Sequence, residues 1–222
     1  DGNGVHFLSH KKQQVTRRFY HDVSDKEGIR SNSVYSLLVD DRGAVWVGHF
    51  QAGLDYSLYQ NGLFRTYAYP PLFNSANLSI RSFISRGQEK VIGSRDGLFY
   101  INEATGMVKS FVKPVLTSDL ILTICFYQGE YYIGTYGGGM MVLNPETLSL
   151  KYFAQGGDGD AELFQKGHIF CVKPDTKGNL WIGTSQGLFN YNGQTKQIKH
   201  FTSANSQLLE GNVYEVSFDS TG

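Results

Sequence analysis

The sequence predicts an all-β protein made of short antiparallel strands grouped in fours. Three observations carry this: a composition rich in glycine and aromatic residues, a repeat of about 45 residues, and turn-forming residues at matching places in each repeat. Of 222 residues, 26 are glycine and 5 proline, and the aromatics are nearly all tyrosine (14) and phenylalanine (15). Aromatic side chains suit a pleated, half-buried backbone, while glycine suits the tight turns that join strands.

The repeat is read most easily from its second strand. Trp46-Val47-Gly48-His49, Val91-Ile92-Gly93-Ser94, Tyr132-Ile133-Gly134-Thr135 and Trp181-Ile182-Gly183-Thr184 carry glycines 45, 41 and 49 residues apart. A first strand precedes each, beginning at Val34, Ile80, Ile121 or Ile169. Between first and second strands lie Asp41-Arg42-Gly43, Arg86-Gly87-Gln88, Gln128-Gly129-Glu130 and Thr176-Lys177-Gly178, all turn-forming. A third strand opens on a glycine: Gly53-Leu54, Gly97-Leu98, Gly139-Met140 or Gly187-Leu188. The fourth contains Phe64-Arg65-Thr66-Tyr67, Val108-Lys109-Ser110-Phe111, Leu150-Lys151-Tyr152-Phe153 or Ile198-Lys199-His200-Phe201. Asn61-Gly62 and Asn192-Gly193 mark hairpins between third and fourth strands, because both residue types tolerate positive φ.

No helix-period segment of useful length is expected. A four-stranded meander repeated every 40 to 50 residues is the pattern of a β-propeller blade. Stacked blades cover both sheet faces, which explains why the strands are apolar rather than alternating. The blades are placed at 28–71, 72–114, 115–158 and 159–206. Residues 1–27 supply the last two strands of a preceding blade, and 207–222 the first strand of a following one. Joined together, those partial blades would leave a five-blade ring one strand short. The chain is therefore expected to be a segment of a larger, seven-blade-like ring.

Charge and length of apolar runs narrow the function. Twenty basic residues balance twenty acidic ones, which argues against a nucleic-acid partner. A low charge count with 41 % hydrophobic residues does not fit a disordered chain. Apolar runs as short as Leu120-Ile121-Leu122 predict no membrane contact by this segment. Cys125 and Cys171 are too few for a disulfide framework or a four-ligand zinc site, and are expected as buried free thiols. No signal peptide is present, and Asp1-Gly2-Asn3-Gly4 reads as an interior turn.

Several features with a chemical look have a structural explanation. Arg17, Arg65, Lys109, Lys151 and Lys199 share one register of the fourth strand, where a charge guards a sheet edge against further pairing. Trp46 and Trp181 are expected to pack between blades. Histidines 6, 10, 21, 49, 168 and 200 show no metal-site spacing, so no metal or other cofactor is expected. Asp158-Gly159-Asp160 lacks the downstream glutamate of a calcium loop. The Asp41 and Asp175 turns resemble the aspartate box of sialidase propellers, but the aspartate is shifted by one between them and no serine or threonine precedes Asp41 at the required place. No catalytic acid–base pair can be picked out.

Ser33-Val34-Tyr35-Ser36-Leu37-Leu38-Val39-Asp40-Asp41-Arg42-Gly43-Ala44-Val45-Trp46-Val47-Gly48 resembles the two-component-regulator propeller repeat, and His168 through Leu188 resembles it more closely. The other two full repeats lack both the turn aspartate and the tryptophan. The resemblance implies the sensor region of a bacterial hybrid two-component receptor, in the periplasm, whose propellers recognise oligosaccharides. It also implies further blades, a downstream immunoglobulin-like domain, a homodimer, and a histidine kinase outside this segment. A structural or dimerising propeller, or a propeller lyase or hydrolase, are the other classes.

Function on rigid β scaffolds concentrates on loops. The loops between second and third strands offer His49, Gln51, Arg95, Asp96, Tyr136, Ser185 and Gln186, a polar and aromatic set suited to sugar hydroxyls. Arg30, Asn74 and Asp119 occupy other interblade loops, and residues 155–167 form the longest such connection.

Overall fold

The computed structural model describes residues 2–9, 11–58, 63–67, 78–153, 160–209 and 211–219, with the side chains of 160 and 161 excepted. His10, Asn61-Gly62, Asn74, Asp158-Gly159, the connection up to residue 159, the boundary at 71–72 and the last three residues lie outside the described residues.

Eighteen strands form five sheets among the described residues, each strand pairing with its sequence neighbour. The first sheet has two strands, β1 (Val5–Ser9) and β2 (Gln14–Phe19). The second is a four-stranded meander of β3 (Val34–Val39), β4 (Ala44–His49), β5 (Leu54–Leu58) and β6 (Phe64–Thr66). The third contains β7 (Ile80–Arg86), β8 (Glu89–Ser94), β9 (Leu98–Asn102) and β10 (Met107–Phe111). The fourth contains β11 (Ile121–Tyr127), β12 (Glu130–Thr135), β13 (Met140–Leu143) and β14 (Leu150–Tyr152). The fifth contains β15 (Ile169–Pro174), β16 (Asn179–Thr184), β17 (Gly187–Asn192) and β18 (Ile198–Phe201). All pairings are antiparallel, as propeller blades require. The chain divides into two compact units, Asp1–Ser110 and Phe111–Gly222.

The second strands lie deep in the sheets, and every residue of β4 is buried. Burial on both faces removes the selection for polar–apolar alternation, hence their continuous apolar appearance. Gly48 has a packing reason: a Cβ there would meet Ser36 Oγ at 2.2 Å and Ile80 at 3.0 Å. The space belongs to the first residue of the next sheet. Gly134 faces Ile169 in the same way in the second unit. Each first strand also carries a register shift, at Val34/Ser36, Ile80/Ser82, Ile121/Thr123 and Ile169/Cys171.

Unit 1 packs around Trp46, which meets Tyr56, Tyr67 and, from the following sheet, Phe83, with ring centroids 4.8–5.1 Å apart. This is packing between blades, as expected for a tryptophan at that register. Unit 2 packs around Phe153, Phe164, Phe189 and Tyr191. Cys125 and Cys171 are buried free thiols, and burial pushes the Cys125 thiol up to about 12. The edge-strand residues Arg17, Arg65, Lys109, Lys151 and Lys199 are all exposed.

Three expectations need correction. A seven-residue helix, α1 (Asp160–Lys166), interrupts the long connection. Two turns are too short to show a helical period, and the helix is held by burial of Leu163 and Phe164 against the unit 2 core. The turn aspartate is not shifted between copies. Asp40, rather than Asp41, is the equivalent of Asp175, since each lies six residues before its tryptophan and bonds to it. The Asn192-Gly193 hairpin does not use positive φ at either residue. Asn192 Oδ1 accepts the N–H groups of Gln194 and Thr195, and the left-handed residue is Lys196. Gly193 is needed for a close approach, because a Cβ there would fall 1.9 Å from the Tyr127 hydroxyl.

Candidate functional site

The loops leaving the second strands are built on one backbone plan. The first loop residue, Phe50, Arg95, Tyr136 or Ser185, donates its N–H to the carbonyl just before its own sheet's first strand: Ser33, Ser79, Leu120 or His168, at 2.9–3.2 Å. The glycine ending the loop reaches forward instead. Gly53 N–H donates to Leu78 O at 3.0 Å and Gly139 N–H to Gly167 O at 2.9 Å, each at the threshold of the following sheet. Gly139 has φ +70°, and a Cβ on it would lie 2.0 Å from the Phe164 carbonyl. Only glycine fits there.

Inside three of the loops a hydroxyl fixes the turn. Ser94 Oγ, Thr135 Oγ1 and Thr184 Oγ1 donate to the carbonyls of Gly97, Gly139 and Gly187 at 2.9–3.0 Å. The same oxygens accept N–H bonds from Asp96, Gly138 and Gln186. The fourth copy is different. At that register stands His49, 0 % exposed, with Nε2 2.9 Å from Asp55 Oδ2. Asp55 also accepts from Arg30 N and Arg30 Nε, both at 2.9 Å. Burial works to raise the Asp55 pKa, but the bonds from His49 and Arg30 and their charges outweigh it and hold the carboxyl below its ordinary value. His49 is thus the last residue of β4 and a buried partner of Asp55. Arg30 belongs to the same buried cluster, and Asp119 Oδ1 caps the N–H of Lys113.

The remaining predicted residues are brought together within their own units. In unit 1, Gln51 N donates to Ser79 Oγ at 3.2 Å and Arg95 N to Ser79 O at 3.1 Å. Both loops therefore rest on one residue, and the side chains of Gln51, Arg95 and Asp96 are exposed beside it. Close by, the Arg81 guanidinium lies 4.9 Å over the Tyr35 ring, which packs on Phe50. In unit 2 the shared support is His168. The half-exposed Tyr136 ring stacks on it with centroids 4.0 Å apart, and Ser185 N donates to its carbonyl. Phe170 and Tyr214 extend the aromatic row, with 4.6 Å between their centroids. Gln186 is exposed, and its carbonyl accepts from His200 Nε2 at 2.8 Å.

Sequence reasoning missed Ser79 and His168 as the residues that gather these loops. Their signal was positional: each immediately precedes the isoleucine that opens a first strand. Among the described residues no group of three or more histidine, cysteine or acidic side chains is arranged to hold a metal, and no helix is long and apolar enough to cross a membrane.

Repeated four-stranded antiparallel sheets with loops on this plan define a β-propeller segment. Comparison with known proteins specifies the repeat: the family model described as "Two component regulator propeller" matches residues 28–51 and 164–186. These two stretches of the chain are thus similar to the two-component-regulator propeller repeat. The matched stretches are the two that contain Asp40 with Trp46 and Asp175 with Trp181. No curated protein sequence matches the chain.

Solved structures share the fold. The extracellular domain assigned to a hybrid two component system of B. thetaiotaomicron is 23 % identical with TM-score 0.66, over 90 % of this chain and 30 % of that one. PorZ, a surface component of the type-IX secretion system of Porphyromonas gingivalis, is 16 % identical with TM-score 0.73, over 96 % of this chain and 33 % of that one. The extracellular domain assigned to a one component system of B. thetaiotaomicron is 17 % identical with TM-score 0.53, over 91 % of this chain and 32 % of that one. The chain spans about a third of the length of the structures it matches.

Proposed function

We propose that the chain is a sensory propeller segment from the extracellular, periplasmic region of a hybrid two-component receptor, and that its second-to-third-strand loops contact an oligosaccharide. The observation carrying this reading is the repeat itself: two copies match the two component regulator propeller, and a solved structure with the same fold is an extracellular domain assigned to a hybrid two component system. Gln51, Arg95 and Asp96 in unit 1, and Tyr136 and Gln186 in unit 2, are the contacts proposed for sugar hydroxyls and ring faces. His49 is proposed to position the first loop through Asp55. Carbohydrate rings lie well on exposed aromatic faces, and the near-neutral chain suits an uncharged or weakly charged ligand. Binding would bias one arrangement of the receptor, a homodimer with further blades and an immunoglobulin-like domain, and a histidine kinase outside this segment would read that bias. Such a shift requires different affinities for two states.

The test is calorimetric titration of oligosaccharides into the receptor region, wild type and with Arg95→Ala and Tyr136→Ala combined. Loss of binding supports the loop site, and unchanged affinity in the folded double variant overturns it. A structural role is the second reading, favoured by sheets β7–β10 and β11–β14, which lack the Asp–Trp pair, and by the similarity to a secretion-system surface component. Retained signalling after loss of the loop side chains would favour that role.

A further inference from the structure

Unit 2 contains a second concavity, at the opposite end of its strands from the loops. It lies where Glu130 begins β12 and Lys196 turns β17 into β18, and its volume is about 280 Å³. Tyr132, Val142, Lys151, Tyr152, Phe153 and Tyr191 complete its wall. Tyr132 and Tyr191 are 6 % and 3 % exposed, and among the described residues neither hydroxyl has a hydrogen-bond partner.

The cavity follows from the sequence. In sheet β3–β6 of unit 1 the register of Tyr132 holds Trp46, whose indole N–H is taken by Asp40 and whose rings fill the space against Phe83 and Tyr67. The Tyr67 hydroxyl there donates to Glu103. A hollow of only about 80 Å³ remains, beside Tyr56 and Arg65. In sheet β11–β14 of unit 2 the tryptophan and its aspartate are both replaced, so the smaller ring of Tyr132 lines the hollow instead.

The charges select the ligand. Lys151 Nζ lies 2.8 Å from Glu130 Oε1, so these two cancel. Lys196 Nζ lies 5.7 Å from the Tyr191 ring centroid and has no acidic partner among the described residues. One net positive charge therefore stands beside two neutral hydroxyls that both donate and accept. Burial raises the Tyr132 pKa, which keeps its hydroxyl protonated.

We propose that this cavity binds a compact hydroxylated monoanion, a hydroxycarboxylate the size of one sugar ring. Lys196 meets the carboxylate, Tyr132 and Tyr191 meet the hydroxyls, and Phe153 forms the apolar wall. The volume is just below the range of pockets that take drug-sized molecules, which fits a single ring. The site is independent of the loop face, so either reading stands or falls without the other.

The probe is glucuronate, titrated into the 222-residue chain and followed by calorimetry and by amide shifts of residues 130–132, 151–153 and 191–196. Glucose, which lacks the carboxylate, and benzoate, which lacks the hydroxyls, are the comparison arms. Saturable binding of glucuronate is expected, with glucose and benzoate each weaker by about tenfold or more. Tyr132→Trp should fill the cavity and abolish binding. Lys196→Asn, which suits the left-handed backbone there, should reduce glucuronate to the level of glucose. Absence of saturable shifts at about 10 mM glucuronate, equal affinity for either comparison compound, or unaltered binding in both variants with native circular dichroism overturns the proposal.

Discussion

Sheets β3–β6 and β15–β18 carry an aspartate–tryptophan clamp that β7–β10 and β11–β14 lack. In the clamped sheets one carboxylate closes the turn between first and second strands and then reaches the indole. Asp40 Oδ1 accepts from Arg42 N and Ala44 N while Oδ2 accepts from Trp46 Nε1; Asp175 does the same with Lys177, Asn179 and Trp181. All four turns hold a glycine at positive φ, Gly43 at +77°, Gly87 at +54°, Gly129 at +85° and Gly178 at +80°, but the turns at Gly87 and Gly129 have no aspartate to close them. Val91 and Tyr132 stand where the tryptophans would be. Aspartate and tryptophan are thus present together or absent together, because each satisfies the other. An indole at this register without an acceptor would strand a buried donor, and the carboxylate without the indole would lose its innermost partner.

The largest effect should come from Asp40→Ala. It strands a buried indole N–H and two turn N–H groups, for a loss of about 3 kcal/mol in urea denaturation. An unchanged midpoint would mean that the clamp is ornamental. Asp175→Ala removes the same bonds from a more accessible turn, where water can replace them, so about 1.5 kcal/mol is expected. Equal losses at the two sites would break the link between clamp strength and burial. In the unclamped turn, Gly87→Ala meets no atom within 4 Å and suffers only the positive φ, for about 1 kcal/mol by the same measurement.

The smallest signal lies in the acid limb of the stability profile. Burial tends to raise the pKa of both clamp carboxyls; the hydrogen bonds from Trp46, Ala44 and Arg42, and from Asn179, Trp181 and Lys177, prevail and lower it. A carboxyl depressed in the folded state contributes stability that is complete above its unfolded pKa of about 3.9 and is lost as pH falls through the folded value. Stability should therefore fall more steeply below about pH 4 in the wild type than in Asp40→Asn/Asp175→Asn. Parallel acid limbs would show that other carboxylates dominate.

The fold was legible because four copies of one pattern reinforce each other: a glycine before each third strand and an apolar pair ahead of the glycine in each second strand mark a repeat that no single copy would show. The candidate site was legible only in outline. Gln51, Arg95, Asp96, Tyr136 and Gln186 do lie on the loops, where strand counting puts them. His49 has the same spacing but a different fate, since its partner Asp55 comes from the neighbouring strand β5 and Arg30 from a distant loop. Spacing reports a residue's place along the strand and leaves open which long-range partner claims its side chain. The choice of Asp41 over Asp40 has a similar origin: two adjacent aspartates compete in the sequence, and only the direction of the indole N–H decides between them. Helix α1 escaped notice because burial of Leu163 and Phe164, rather than any periodicity, makes it a helix.

The forward bonds from Gly53 and Gly139 have a mechanical consequence. Each ties the end of a second-to-third-strand loop to the doorway of the next sheet through a peptide group alone. A displacement of the loop's end is therefore handed on as a tug on the neighbouring sheet's leading thread, with no side chain in the linkage. Because no side chain takes part, substitutions in the loop need not disturb this linkage.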